Sequence, residues 1–405
     1  MPLSVTSILP YFAISALLLA VAWAISRRSP FYRRLLDAEA ASTRFHPIDG
    51  LRGFLAFGVF FHHAVVSYFH YAHGRWEVPP SRFYTLLGQV AVACFFMITA
   101  FLFWTKGLRD RPSLLVQPML WSRLCRLVPM YLFSIACVFA VAIAVTGFEL
   151  REPATTLALQ ALTWLSFGFA NPDELNGLGR SAIINGGVQW SLAYEWLFYL
   201  FLPLGLIFAR GPGFILIAVV ASACIQAFSS TALEWNFVFG ALAAVLAAEH
   251  RLPAARIWNS KLVALLVVGA IVLLFSMFDR GYGLPQAALL FSAFFCIANG
   301  NDLFGLLTCR AARLLGAVSY SIYLMHAIVL FVVLRVVDRF APIANMAPGN
   351  YWAVVAGCGI ALVVICSVTY RWVEHPLMKR PMPGWLGGRA SAGATSPPSA
   401  GTPGR

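Results

Sequence analysis

Charge is scarce in this chain: Asp, Glu, Lys and Arg make up 11% of it and 60% is hydrophobic, where an ordinary soluble domain is roughly a quarter charged. That shortage excludes a water-soluble fold. Acidic residues are scarcer than basic ones, 16 against 29. The resulting charge of +13 does not describe a nucleic-acid surface, because the cations sit in short clusters between apolar runs, the pattern of cytoplasmic loops in a membrane protein. No C-x-x-C pair occurs, and none of the eight cysteines has metal-like spacing with histidine. They read as small core residues, and no metal is expected. No positive charge precedes the first apolar run, Leu9 to Ile25, and no convincing A-x-A site follows it, so a cleaved signal peptide is not expected. Arg27, Arg28, Arg33 and Arg34 follow instead, which predicts a retained helix with its N-terminus outside. An internal repeat and a second soluble domain are also missing.

What is present is a series of apolar runs. A membrane helix needs about 20 mostly apolar residues to cross a core of roughly 30 Å. About eleven segments qualify, near 8–26, 50–71, 87–105, 127–147, 189–209, 212–230, 234–249, 261–278, 285–299, 314–336 and 351–371, those near 234 and 285 being short. The expected fold is all-α, a polytopic transmembrane bundle of about 10–11 helices. Alternation from an outside N-terminus puts Arg44, Lys106, Arg109, Arg111, Arg123, Arg126, Arg251, Arg256, Arg310 and Arg313 on the cytoplasmic side, in agreement with the positive-inside rule. Residues 1–45 read as an extra helix plus a basic loop, 46–380 as the main membrane domain, and 381–405, rich in Pro, Gly, Ser and Ala, as a disordered tail. The stretch 148–188 falls outside and holds an apolar patch at 157–170 too short to span, of interfacial or re-entrant type. An outer loop of that length is a place to receive a substrate.

Ionisable groups within spans are costly and mark functional sites. They are His62, His63, Glu195 and His326. Ten residues separate Arg52 from His63; at 100° per residue the two share a helix face about 16 Å apart, whereas His62 points about 80° away and reads as a packing residue. Counting rise along the spans, His63 lies roughly 20 Å and His326 roughly 18 Å from one surface, and Glu195 about 9 Å from the other. The three groups are thus expected in one layer, with Glu195 as the carboxylate that orients His63. Arg52, with Arg123 and Arg126 at i, i+3, forms a cationic rim suited to phosphates. Two spans begin in unusually polar runs: Gln189 to Glu195 carries Trp190 and Ser191, with Ser191 and Glu195 at i, i+4, and Ser319 to Tyr323 leads to His326.

At these residues the chain resembles the membrane-bound acyltransferase-3 family of O-antigen and exopolysaccharide O-acetylases. Asp49-Gly50-Leu51-Arg52-Gly53 through His63 is similar to its Arg-x10-His opening, Gly88 to Leu102 to its glycine-rich third segment, and Arg123, Arg126, Pro129 and Tyr131 to its R-x-x-R-x-x-P pattern. Trp190-Ser191-Leu192 with Glu195, Ser319-Tyr320 with Tyr323-Leu324 and His326, and Glu374 with Pro376 complete the series over residues 46–380. Thr99-Ala100 stand where the family often has Ser-Gly. The resemblance implies a bacterial inner-membrane enzyme with no permanently bound cofactor. Acyl-CoA, commonly acetyl-CoA, would be the cytoplasmic co-substrate, with Arg52, Arg123 and Arg126 near its phosphates. His63 would be the base, and Trp190, Ser191, Tyr323 and His326 would lie about a carbohydrate or glycolipid acceptor.

The expected function is transfer of an acyl group from acyl-CoA to an acceptor hydroxyl, His63 taking the proton directly and Glu195 balancing it. A proton-coupled transporter or flippase of an anionic lipid-linked sugar is the alternative; the lack of a repeat and the few proline-broken spans stand against it. A non-enzymatic assembly subunit is a third reading.

Overall fold

The computed structural model describes residues 3–41, 45–109, 112–249 and 255–383, the side chains of 112–116, 249, 255 and 256 excepted. Arg44, Arg111 and Arg251, and the tail expected to be disordered, from 384 onward, lie outside the described residues, as does the side chain of Arg256. In chain order the helices are α1 (Leu9–Arg28), α2 (Pro30–Ala40), α3 (His46–His73), α4 (Arg82–Arg109), α5 (Pro112–Val145), α6 (Ala154–Trp164), α7 (Trp190–Ile207), α8 (Gly211–Phe228), α9 (Trp235–Glu249) and α10 (Ala255–Trp258). There follow α11 (Lys261–Met277), α12 (Leu284–Ala298), α13 (Arg310–Ala317), α14 (Ser319–Phe340), α15 (Pro348–Thr369) and α16 (His375–Met378). Among the described residues the only strands are β1 (Glu174–Leu175) and β2 (Leu178–Gly179), paired antiparallel.

Eight helices are long and apolar enough to cross a membrane, and three shorter apolar ones, within α9, α11 and α12, accompany them. The chain is a multi-pass membrane protein, and these eleven coincide in position with the expected runs. Helices form throughout because a backbone in lipid must satisfy its own N–H and C=O groups. Peripheral helices turn apolar side chains outward: only Phe214 and Ile225 of α8 are buried, while Leu262, Leu265 and Leu266 of α11 are exposed. The eight cysteines are free; Cys94, Cys358 and Cys366 are core residues as expected, but Cys224 on α8 is exposed on this apolar face.

α3 runs through the centre, packed by α4, α13 and α14. Small residues make that possible, since close approach of helix backbones needs positions without side-chain bulk. A Cβ on Gly50 would stand 1.8 Å from the Leu307 carbonyl oxygen, and one on Gly316 would stand 1.8 Å from that of Asp49. The Asp-Gly-Leu-Arg-Gly run is thereby the crossing point of α3 with the segment leading into α14. At α4, Gly88 yields its side-chain space to His62, whose Nδ1 meets the Tyr84 carbonyl oxygen at 2.9 Å; His62 is the packing residue the helical phase predicts. Where the family often has glycine, Ala100 faces Gly240 of α9, so α9 supplies the glycine that the α4–α9 approach requires.

Two features depart from expectation. The span 314–336 is broken at Val318: α13 ends at Ala317, and α14 begins at Ser319, whose Oγ donates to the Gly316 carbonyl at 2.9 Å. The basic loop after α1 is instead helical, as α2, with Tyr32 and Leu36 buried. α2 is fastened to α13 by the ion pair Arg310–Asp37 at 2.8 Å and by Arg313 Nη2 donating to the Leu36 carbonyl at 2.8 Å. The patch 157–170 begins as α6, with Leu159 and Leu162 exposed, and it does not span.

Candidate active site

α3, α4, α5, α7 and α14 enclose a cavity of about 270 Å³ at the basic end of the bundle. Arg52 of α3 and Arg123 and Arg126 of α5 share it with Glu195 of α7, so the structure brings together the three predicted arginines. Arg123 lies over the Phe103 ring, 4.5 Å from its centroid, and its buried Nε has no hydrogen-bond partner among the described residues. Thr99 Oγ1 donates to Glu195 Oε1 at 3.0 Å. Thr99 therefore supplies a hydroxyl at the position where the family often has serine.

Ser191 and Tyr323 also line the cavity; the sequence places them on different helices and the structure joins their hydroxyls at 2.7 Å. Both also reach the Val188 carbonyl oxygen, at 3.2 Å and 3.1 Å. Two hydroxyl protons serve these three contacts, which ties the start of α7 to α14.

Beside that contact stand the histidines. His326 is fully buried and its Nδ1 faces the carbonyl oxygens of Tyr323, at 2.7 Å, and Ile322, at 3.2 Å. A carbonyl only accepts, so Nδ1 of His326 carries the proton, and the Nε2 of the neutral ring is an acceptor. Nε2 meets His63 Nδ1 at 3.0 Å, so His63 donates there, Nδ1 also lying 3.1 Å from the Val59 carbonyl oxygen. The chain of bonds thus places a proton on Nδ1 of each ring, and the other edge of His63 faces the Gly186 backbone, which also hydrogen-bonds the ring. His63 is half-buried, stacked on Trp76 with centroids 6.0 Å apart and planes at 26°. The Gly186 backbone lies against its Nε2 edge: at φ 69°, a Cβ on Gly186 would come 3.2 Å from Nε2 and 2.9 Å from Ala327 Cβ.

The expected pairing of Glu195 with His63 is therefore corrected. His63 and His326 meet directly, but the hydrogen-bonding partner of His63 is His326 and that of Glu195 is Thr99, in the arginine cavity. The depth of Glu195 was counted from a surface position for Gln189, yet Gln189 is only 4% exposed. The chain before α7, with Ser181, Ile184, Asn185 and Val188 buried, folds into the bundle against α14. Asn185 and Gln189 pair through their side chains to hold this turn. Trp190 is exposed, edge-on to Tyr194, and does not line the cavity. The sequence reading passed over Gly186 and Trp76; the glycine pair 186–187 and a tryptophan just beyond a span were their only signals. Among the described residues no cluster of three His, Cys, Asp or Glu is arranged to hold a metal ion.

The sequence profile described as the acyltransferase domain of the acyltransferase-3 family matches residues 45–371, a stretch that includes every side chain of this site. The chain belongs to this acyltransferase family. No curated protein and no solved structure matches it. Membership makes the chain a membrane acyltransferase and gives the two histidines and the arginine cavity a common setting. α1 and α2, and the residues after Arg371, lie beyond the matched stretch.

Proposed function

We propose that the protein is an O-acyltransferase of the bacterial inner membrane that moves an acyl group, acetyl in the simplest case, from cytoplasmic acyl-CoA to a hydroxyl of a sugar, surface polysaccharide or glycolipid. The basic end faces the cytoplasm, and Arg52, Arg123 and Arg126 take up donor phosphates there, as guanidinium forks do well. His63 Nε2 removes the proton from the acceptor hydroxyl as its oxygen attacks the thioester carbonyl. The tetrahedral intermediate collapses with cleavage of the C–S bond, and the departing thiolate takes the proton from the imidazolium, leaving the ester and free CoA. His326 holds the reactive tautomer and shares the charge that develops on His63, as the third member of a triad does for its histidine. Glu195, with Thr99, acts on the donor side, where it balances the arginines.

The observation that carries this reading is the carbonyl–His326–His63 chain of hydrogen bonds, which begins at Tyr323, a residue that lines the cationic cavity. Purified protein given labelled acetyl-CoA and an acceptor should release CoA, and His63→Ala should lower the rate by about 10²–10⁴-fold. Transfer by His63→Ala at the wild-type rate would remove the proposal. The Ser191–Tyr323 contact is also what a transporter would place between two vestibules; a transporter would leave the thioester intact in the same assay.

A further inference from the structure

A second chamber of about 180 Å³ adjoins the first, and the two share Asp49, Arg52 and Arg126. Besides those arginines it is lined by Arg313, Lys379 and His375, against the carboxylates of Glu39 and Asp49. Four permanent cations thus face two acids. Its walls come from α3, α5, α13 and Tyr370 within the stretch that matches the family profile, and from Leu35 and Glu39 of α2 and His375, Met378 and Lys379 outside it. α2 also sets the position of Arg313, through the Leu36 carbonyl. That contact uses one N–H of a group with five.

Size says what such a chamber is for. Pockets that bury drug-sized ligands run to roughly 300–1,000 Å³, and an acyl-CoA is larger than most such ligands. The first cavity, at about 270 Å³, has room for the acyl-pantetheine arm alone. The remainder of the donor, a nucleotide carrying a pyrophosphate and a 3′-phosphate, needs a cationic space continuous with the first, and arginine and lysine are the side chains that bind phosphates.

Resting on the acyl-CoA reading above, we propose that this second chamber, too small at about 180 Å³ to enclose a nucleotide, takes the phosphates of the donor's nucleotide end, with α2 as one wall and Lys379 and His375 as phosphate contacts. Arg52 and Arg126 then stand at the junction, where the pyrophosphate passes from one chamber to the other. The N-terminal hairpin of α1 and α2 is thereby a working part of the donor site.

The test uses the purified full-length chain in detergent with acetyl-CoA, S-acetylpantetheine and adenosine 3′,5′-bisphosphate as probes. Lys379 is exposed, whereas the half-buried His375 packs edge-on to Phe31, so the single variant Lys379→Ala is measured beside the double one. The double variant Lys379→Ala, His375→Ala should bind acetyl-CoA and the bisphosphate about tenfold more weakly and leave S-acetylpantetheine turnover unchanged. Glu39→Gln, which removes a carboxylate of α2, should tighten acetyl-CoA by about threefold. Equal loss for all three probes, or no loss for any, overturns the proposal. If the bisphosphate binds and weakens in the double variant while no thioester is consumed, the chamber stands and the acyl-transfer reading falls. If wild type consumes thioester but does not distinguish acetyl-CoA from S-acetylpantetheine, the chamber assignment falls and the transfer reading stands.

Discussion

A histidine is a directed base only when something fixes which nitrogen is bare. For His63 that is His326, whose own proton is committed to the Tyr323 carbonyl. His326→Leu removes the acceptor for His63 Nδ1–H; kcat should fall by about 10²–10³-fold with little change in the KM for acyl-CoA. His326→Gln keeps an oxygen acceptor on the same helix and should recover part of that loss; equal rates for the two variants would separate His326 from the tautomer. How much of this was legible is clear residue by residue. The 100° step distinguished His63 from His62, because rotation about a helix depends only on sequence spacing. The His63–His326 level was legible too, since rise per residue is fixed. The partner of Glu195 was not legible, because its count took Gln189 as a surface residue while the packing of the preceding segment buries it, and no local pattern records such burial.

At the scale of the element, lipid makes helices easy to read and their interruptions hard. The eleven apolar runs were visible because each must be long and apolar to exist in a bilayer. The break at Val318 was not, because its local mark, the polar step Ser319-Tyr320-Ser321, also fits an unbroken span, and the packing of Gly316 on the Asp49 carbonyl of α3 is a tertiary contact. Gly50→Ala should destabilise the protein by about 1–3 kcal/mol, seen as earlier thermal unfolding in detergent, even though it removes no chemical group. The contact between α7 and α14 makes a different prediction. Ser191→Ala or Tyr323→Phe breaks the 2.7 Å contact between two residues that line the arginine cavity, Tyr323 standing three residues before His326 on α14. Hydrolysis of acyl-CoA without acceptor should then rise severalfold; tight coupling in both variants would show that packing alone holds α7 against α14.

For the whole molecule, the placement of charge predicts an orientation. The ends of α4 and α13 that carry Lys106, Arg109, Arg310 and Arg313 belong to the basic end, whereas the loop that bears β1 and β2 belongs to the other. In a Cys224→Ser background, a membrane-impermeant maleimide should label Glu174→Cys in intact cells and Lys106→Cys only after the membrane is opened; the reverse pattern would invert the topology. Both side chains are exposed, so failure to label is not a matter of burial. α2 and its fastening to α13 were missed at this scale: an eleven-residue basic segment reads as a loop until the distant partner, 273 residues on, is known.

The pairing of His63 with His326 also carries a timetable. The two residues are 263 positions apart, and a ribosome adds roughly 5–20 residues per second, so about 13–53 seconds pass between them. For that interval the early helices sit in the bilayer with His63 unpartnered and the centre of the bundle still open to α13 and α14. A nascent chain stalled before residue 326 would therefore be inserted yet inert, and activity would arise in one late step, when α14 slides beside α3.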